Sequence, residues 1–104
     1  MELVLAFLAG AFITNSVPHI VSGLIGNKHM TPFAKDSSAI VNIGWGYINL
    51  VLGAFIFNLS GMNLNDVFSF DNYSIAFMLG SFVIAITAAW LFSNPNARFP
   101  WFKK

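Results

Sequence analysis

A cluster of polar residues interrupts the first apolar stretch of the chain, in the segment TNSVPHIVSG at positions 14–23. Asn15, His19 and Ser22 are spaced by four and three residues, so they share one face of a helix. His19 is the only ionisable side chain deep within any apolar stretch. Ionisable residues inside a membrane are costly and often mark sites for protons, ions or ligands. The pattern predicts either such a site around a neutral His19 or a structural hydrogen bond made by that ring.

Pro18 lies beside this polar face and has no backbone N–H, so the carbonyl of Thr14 loses its helical donor. We therefore predict a kink in the first helix at Pro18. Kinked or broken helices near the middle of a membrane often form the binding sites of transporters. The alternative is that Pro18 bends the helix and has no further role.

The second apolar stretch carries a matching set of residues, Asn42, Trp45 and Asn49, again at helical spacing. A polar side chain in hydrocarbon needs a partner from the protein or from trapped water. We therefore expect these residues to face the polar side of the first stretch, and we expect a stripe of small residues on the third stretch to face both. The predicted ligand or ion pathway consists of His19, Asn15, Ser22, Asn42, Asn49 and Trp45. Helix–helix hydrogen bonding is the alternative for the two asparagines, and core packing is the alternative for Trp45.

Three stretches are long and apolar enough to carry these residues across a membrane, which takes about 20 residues. They run from about 3 to 26, 38 to 59 and 73 to 92. The predicted fold class is an all-α membrane protein with three transmembrane helices, the first of them kinked. The whole chain, 1–104, forms a single transmembrane domain with an interfacial tail at 96–104.

The basic residues all lie on one side of the three predicted helices. Lys28 and Lys35 lie between the first and second helices, and Arg98, Lys103 and Lys104 lie in the tail. The N-terminus and the segment between the second and third helices contain only acidic charges. Because cytoplasmic segments carry the excess of Lys and Arg, we predict a cell-membrane protein with its N-terminus outside and its C-terminus in the cytoplasm. The segment joining the second and third helices is then extracytoplasmic, and His29, in the basic loop, is expected to be a solvated surface residue.

The composition excludes several classes of function. Hydrophobic residues make up 57% of the 104 residues and charged residues 9%, against about 25% charged in a soluble domain. The net charge of +1 argues against nucleic acid as a partner, because tracking phosphates needs clustered Lys and Arg. With no cysteine, two histidines and four scattered acidic residues, the sequence contains no recognisable metal or catalytic constellation. We therefore expect no enzyme activity, no bound metal and no cofactor.

The segments NSVPHIVSGLIG, TPFA and SSAIVNIGWGYIN resemble a set of small bacterial multi-span membrane proteins that have no assigned activity. The likeness covers roughly the first half of the chain. It implies a compact multi-span membrane protein and implies nothing about chemistry.

Three functions remain open at this point. The first is a transport or channel-like protein, working as a homo-oligomer, whose mid-membrane site around His19 binds or passes a small polar solute, an ion or a proton. The second is a non-catalytic structural or accessory subunit whose polar stripe binds another membrane protein or further copies of the chain. The third is a module that binds a lipid or small ligand in the same groove. All three have the lipid bilayer as a partner.

Overall fold

The computed structural model describes residues 1–102 of the chain. This part contains three α-helices, α1 (Glu2–Leu24), α2 (Ala39–Ser60) and α3 (Asn72–Ser93). Each has 22 or 23 residues and contains an 18-residue stretch with a mean hydropathy of at least 1.7, so each is long and apolar enough to cross a membrane. The prediction of a mostly helical fold with three such helices is confirmed. Lys103 and Lys104, at the end of the predicted interfacial tail, lie outside the described residues.

A small β-hairpin connects α1 to α2, a feature that the all-helical prediction missed. Strands β1 (His29–Thr31) and β2 (Ala34–Ser37) pair antiparallel, with His29 opposite Ser37 and Thr31 opposite Ala34. The hydroxyl groups of Thr31 and Ser37 are hydrogen-bonded at 2.6 Å inside the hairpin. Side-chain bonds of this kind help to hold a two-stranded sheet that is only marginally stable by itself.

The tail after α3 folds back onto the hairpin. The ammonium group of Lys35 donates a hydrogen bond to the carbonyl of Ala97 at 2.5 Å, and the indole N–H of Trp101 donates to the carbonyl of Pro32 at 2.6 Å. The end of α1, the start of α2 and the end of α3 therefore meet the hairpin at one end of the bundle, which we call the hairpin end. At the opposite end, a short 3₁₀ helix (Leu64–Phe68) lies between α2 and α3.

Helix α1 is the central helix of the bundle. It packs along both α2 and α3, whereas α2 and α3 make at most marginal contact with each other. The expectation that all three polar or small-residue stripes face one another is therefore wrong for the second and third helices. Each of those helices presents its stripe to a different side of α1.

Glycines allow α1 and α3 to approach closely through their backbones. A Cβ atom at Gly10 would overlap the carbonyl oxygen of Phe77, and a Cβ atom at Gly80 would overlap the carbonyl oxygen of Phe7. The two contacts are reciprocal, so any larger residue at either glycine would force the helices apart. Close backbone contact at small residues is the usual means by which helices associate in membranes.

Candidate functional site

His19 and Asn42 form the most deeply buried polar pair of the described residues. His19 is 3% exposed and Asn42 is fully buried, and the Nδ1 atom of His19 lies 2.8 Å from the Oδ1 atom of Asn42. The amide nitrogen of Asn42 donates to three carbonyl oxygens, those of His29 at 3.0 Å, Ser37 at 3.1 Å and Ser38 at 3.0 Å. Because these acceptors surround the amide nitrogen, the amide oxygen must face His19. His19 therefore carries its proton on Nδ1 and donates it to Asn42.

The second histidine lies directly against the first. The ring centroids of His19 and His29 are 5.3 Å apart in an edge-to-face arrangement, and the His29 ring also packs at 3.9 Å from that of Phe92. The Nε2 atom of His29 is buried and has no hydrogen-bond partner among residues 1–102. The expectation that His29 is a solvated surface residue is wrong, because the hairpin folds its ring back onto α1 and α3.

Burial lowers the pKa of His29 below its ordinary value of 6.5, and the charge that His19 would carry when protonated lowers it further. The neutral form of His29 is thus favoured at neutral pH. A neutral imidazole presents one donor and one acceptor nitrogen, so His29 is able to bind either kind of polar group.

A pocket of about 210 Å³ opens beside His29 at the hairpin end. Its charged lining comes from Lys28, Lys35 and Asp36, and its apolar wall includes Phe92 at the end of α3. The hairpin brings the two lysines, seven positions apart in the sequence, to the same cavity. The sequence analysis missed this pocket, because neither lysine by itself signals a site.

Asn15 and Asn49 form a second pair between α1 and α2. The amide nitrogen of Asn15 donates to the Oδ1 atom of Asn49 at 3.2 Å, and the amide nitrogen of Asn49 donates to the carbonyl of Trp45 at 2.8 Å. The predicted facing of Asn15 and His19 toward Asn49 and Asn42 is thus what the structure shows. A role for these residues in a pathway stays a prediction.

The side chains of three of the predicted residues take no direct part in these pairs. Ser22 is half-buried and makes no side-chain hydrogen bond within the described residues. The ring of Trp45 packs edge-on against Phe33 of the hairpin turn, with centroids 5.5 Å apart. Pro18 lies inside α1, which continues as a helix to Leu24.

A third pair, Thr14 and Ser81, joins α1 to α3, and the sequence analysis did not assign Thr14 to a site. The two hydroxyl groups lie 2.6 Å apart. Thr14 belongs to the polar segment but points to the opposite side of α1 from His19, toward the small residues of α3. The pairing of Thr14 with Ser81 depends on where α3 packs against α1, so the sequence pattern alone did not indicate it.

The three pairs occupy one half of the bundle. His19 lies five residues before the end of α1 and Asn42 is the fourth residue of α2, so this pair lies roughly 5–8 Å from the hairpin end along the helix axes. The pairs made by Asn49 and Ser81 lie near the middle of α2 and α3. Beyond them, toward the N-terminus of α1, the helices meet through buried alanines and through the close backbone contacts at Gly10 and Gly80, and the buried hydroxyl groups of Ser60 and Ser74 bond to nearby carbonyls.

Among residues 1–102, no group of three or more His, Cys, Asp or Glu side chains is placed to hold a metal ion. Comparisons with protein-family models, with curated proteins and with solved structures find no match for this chain. The arguments for function therefore come from the geometry of the site itself.

Proposed function

We propose that this small multi-pass membrane protein binds a small polar ligand at the hairpin end of its bundle, in the pocket beside His29. The observation that supports the proposal is the Nε2 atom of His29, which is buried without a hydrogen-bond partner in the part of the chain that the structure describes. Buried polar atoms are almost always hydrogen-bonded, so an unpaired one in the wall of a pocket is well suited to a ligand group. The proposed activity is binding without catalysis, and it needs no metal or cofactor.

In this proposal the residues behind His29 hold it in place. Asn42 is bonded to the ring of His19 and to the backbone carbonyl of His29, so it ties both histidines to the first turn of α2. The hydrogen bond between Asn15 and Asn49 holds α1 against α2 farther from the hairpin end, toward the middle of the bundle. Trp45 supports the turn of the hairpin through Phe33, and Ser22 is half-buried in the last turns of α1.

The geometry favours binding from one side over passage across the membrane. The polar pairs between helices reach only to the middle of the bundle. In the other half the backbones of α1 and α3 are in contact at Gly10 and Gly80, and the buried hydroxyl groups of Ser60 and Ser74 are bonded to nearby carbonyls. A solute that crossed the membrane would need a path between several copies of the chain. Measuring the oligomeric state in mild detergent tests the hypothesis that a solute crosses the membrane, because a monomer would leave no such path.

The proposal includes the predicted orientation, with the N-terminus outside and the hairpin and C-terminus in the cytoplasm, so that the ligand arrives from the cytoplasm. A cysteine introduced at position 66 is then labelled by a membrane-impermeant thiol reagent added outside, and one introduced at position 104 is not. The reverse labelling would overturn the orientation. The predicted kink at Pro18 also belongs here: this residue and the small side chains of Ala85 and Ala88 line a groove of about 280 Å³, which a bend in α1 would open or close.

Histidine NMR tests the binding proposal directly, because the chain contains only two histidines. Protein labelled with ¹⁵N-histidine in phosphatidylcholine nanodiscs is exposed in turn to sodium phosphate, ammonium chloride and glycine at one ionic strength. We expect at least one probe to shift the Nε2 signal of His29, while proteoliposomes of the same protein show no proton flux. If none of the three probes shifts the signal, and a nanodisc lipid does not shift it either, the binding proposal fails.

The second candidate is a structural or accessory subunit, and one observation favours it. The polar side chains of His19, Asn15 and Thr14 all find partners within the chain, so they satisfy the needs of helix packing without a ligand. The large apolar residues of α2 and α3 point outward and are available to lipid or to another membrane protein. Stable co-purification with one membrane protein, together with an unresponsive His29 signal, would favour this reading.

A further inference from the structure

We infer that the pocket at the hairpin end binds the phosphate group of an acidic phospholipid headgroup. This inference rests on the proposed ligand site at His29 and names the chemical class of its ligand. It is carried by three features of the pocket: its charge, its donors and its depth in the bilayer.

The charge of the pocket matches a single phosphodiester. Lys28 and Lys35 contribute two positive charges and Asp36 contributes one negative charge, while His29 is favoured in its neutral form. The lining therefore has a net charge of about +1, and the phosphodiester of a lipid such as phosphatidylglycerol carries a single negative charge. Basic pockets between membrane helices on the cytoplasmic side are known to hold acidic headgroups.

The donors of the pocket suit phosphate oxygens. One N–H of the Lys35 ammonium group is bonded to the carbonyl of Ala97, which holds the side chain in place and leaves two further N–H groups. In the tautomer that carries the proton on Nε2, neutral His29 adds a donor from an atom that has no partner among residues 1–102. A phosphate group accepts several such bonds at once, and bonds to a charged partner are the strong ones.

The depth of the pocket points to a lipid. The pocket lies where the helical spans end, and its lining combines Lys28 and Lys35 with the apolar side chains of Leu91 and Phe92 from the last turn of α3. Next to it, the ring of Trp101 stacks on Phe99 at 4.7 Å, and its indole N–H is anchored to the hairpin. Aromatic residues with a polar edge concentrate at the level of the headgroups. A phosphate bound here would therefore lie at the level of the headgroups, next to the acyl region of the bilayer.

Two measurements test the inference. The first is the His29 Nε2 signal in nanodiscs of phosphatidylcholine alone and of phosphatidylcholine with phosphatidylglycerol, and the second is retention of phosphatidylglycerol by the detergent-purified protein in native mass spectrometry. We expect phosphatidylglycerol to shift the signal and to be retained. Lys28→Gln, an exposed position whose loss leaves the bond to Ala97 intact, should weaken retention about fivefold, the effect of one lysine near an anionic surface.

Two control variants remove an acidic charge, one inside the pocket and one at the far end of the bundle. Asp36→Asn removes the one acidic group of the pocket and should strengthen retention of phosphatidylglycerol, which a merely misfolded variant would not do. Glu2→Gln removes an acidic charge at the far end of the bundle and should leave retention unchanged. Retention that is the same in the wild type, Lys28→Gln and Asp36→Asn would overturn the inference.

The outcomes separate this inference from the proposed function. If sodium phosphate shifts the His29 signal in pure phosphatidylcholine nanodiscs while phosphatidylglycerol does not, the ligand is a free phosphate and the lipid inference is wrong. If only ammonium or glycine shifts the signal, a ligand site exists but does not take phosphate. If nothing shifts it, the inference and the proposed ligand site fail together.

Discussion

Replacing Asn42 with alanine would remove a side chain that joins α1, α2 and the hairpin. Its amide oxygen accepts the proton of His19, and its amide nitrogen donates to the carbonyls of His29, Ser37 and Ser38, which gives this fully buried residue four hydrogen-bond partners. Alanine keeps the helix of α2 and removes all four contacts. The perturbation is therefore specific to the polar network.

The expected loss of stability follows from these contacts. The amide nitrogen has two N–H groups to share among its three acceptors, so Asn42 makes about three full hydrogen bonds. At about 0.6 kcal/mol each, the average for side-chain bonds in a membrane helix bundle, they give about 1.8 kcal/mol. Leaving the buried N–H of His19 without an acceptor costs about 1–3 kcal/mol by itself. We expect Asn42→Ala to lower the free energy of unfolding by about 2–5 kcal/mol.

The assay is reversible unfolding in mixed micelles by titration with sodium dodecyl sulfate, followed by far-ultraviolet circular dichroism. Asn58→Ala is the matched control, because Asn58 lies on the same helix, is exposed and makes no side-chain hydrogen bond within the described residues. Its effect should stay within about 0.5 kcal/mol, as for most exposed positions. If the two variants unfold alike, the network around His19 does not stabilise the bundle and our account of it is wrong.

Three further predictions use the same unfolding assay. Gly80→Ala should destabilise the protein by more than about 1 kcal/mol, because its Cβ would overlap a backbone carbonyl of α1, whereas Gly44→Ala, with open space around it, should be neutral or slightly stabilising. A stable Gly80→Ala variant would contradict the close contact of α1 and α3. Because the pKa of His29 is lowered in the folded state, the unfolded chain binds more protons than the folded chain below about pH 6.5. The free energy of unfolding should therefore be highest above that pH and should decline as the pH falls. His29→Gln should lessen the decline, and a pH profile that is the same in this variant would refute the role of His29. A double-mutant cycle of Asn15→Ala and Asn49→Ala should give a coupling energy of about 0.6 kcal/mol, and simple additivity would show that their bond contributes nothing.

The polar pairing of α1 with α2 was predictable because it depends on helical periodicity alone. Asn15 and His19 are four residues apart, and Asn42 and Asn49 are seven apart, so each set must lie on one face of its helix. Two apolar helices joined by a short connection bury such faces against each other, since hydrocarbon supplies no hydrogen bonds. The observed bonds of Asn15 to Asn49 and of His19 to Asn42 follow this logic.

The hairpin and the position of His29 were not predictable in the same way. The strands have three and four residues and include Lys35 and Asp36, a composition typical of a solvated loop. They form a hairpin because the amide of Asn42, the bond between Lys35 and Ala97, and the tail all converge on them. Ala97 and the tail are remote in the chain, and the amide of Asn42 lies in the next helix, so no pattern within the two strands indicates these partners.

The sequence by itself determined the number and approximate length of the helices that are apolar enough to cross a membrane, and the faces of α1 and α2 that carry polar groups. Hydropathy, helical period and charge are local properties of the chain, and a bilayer acts on them without reference to the rest of the fold. Only the tertiary structure decided that α1 lies between the other two helices, that His29 packs on His19, and that Lys28 and Lys35 share one pocket. These features depend on which backbones can approach each other, and a single glycine without a Cβ, such as Gly80, settles that question between residues far apart in the chain.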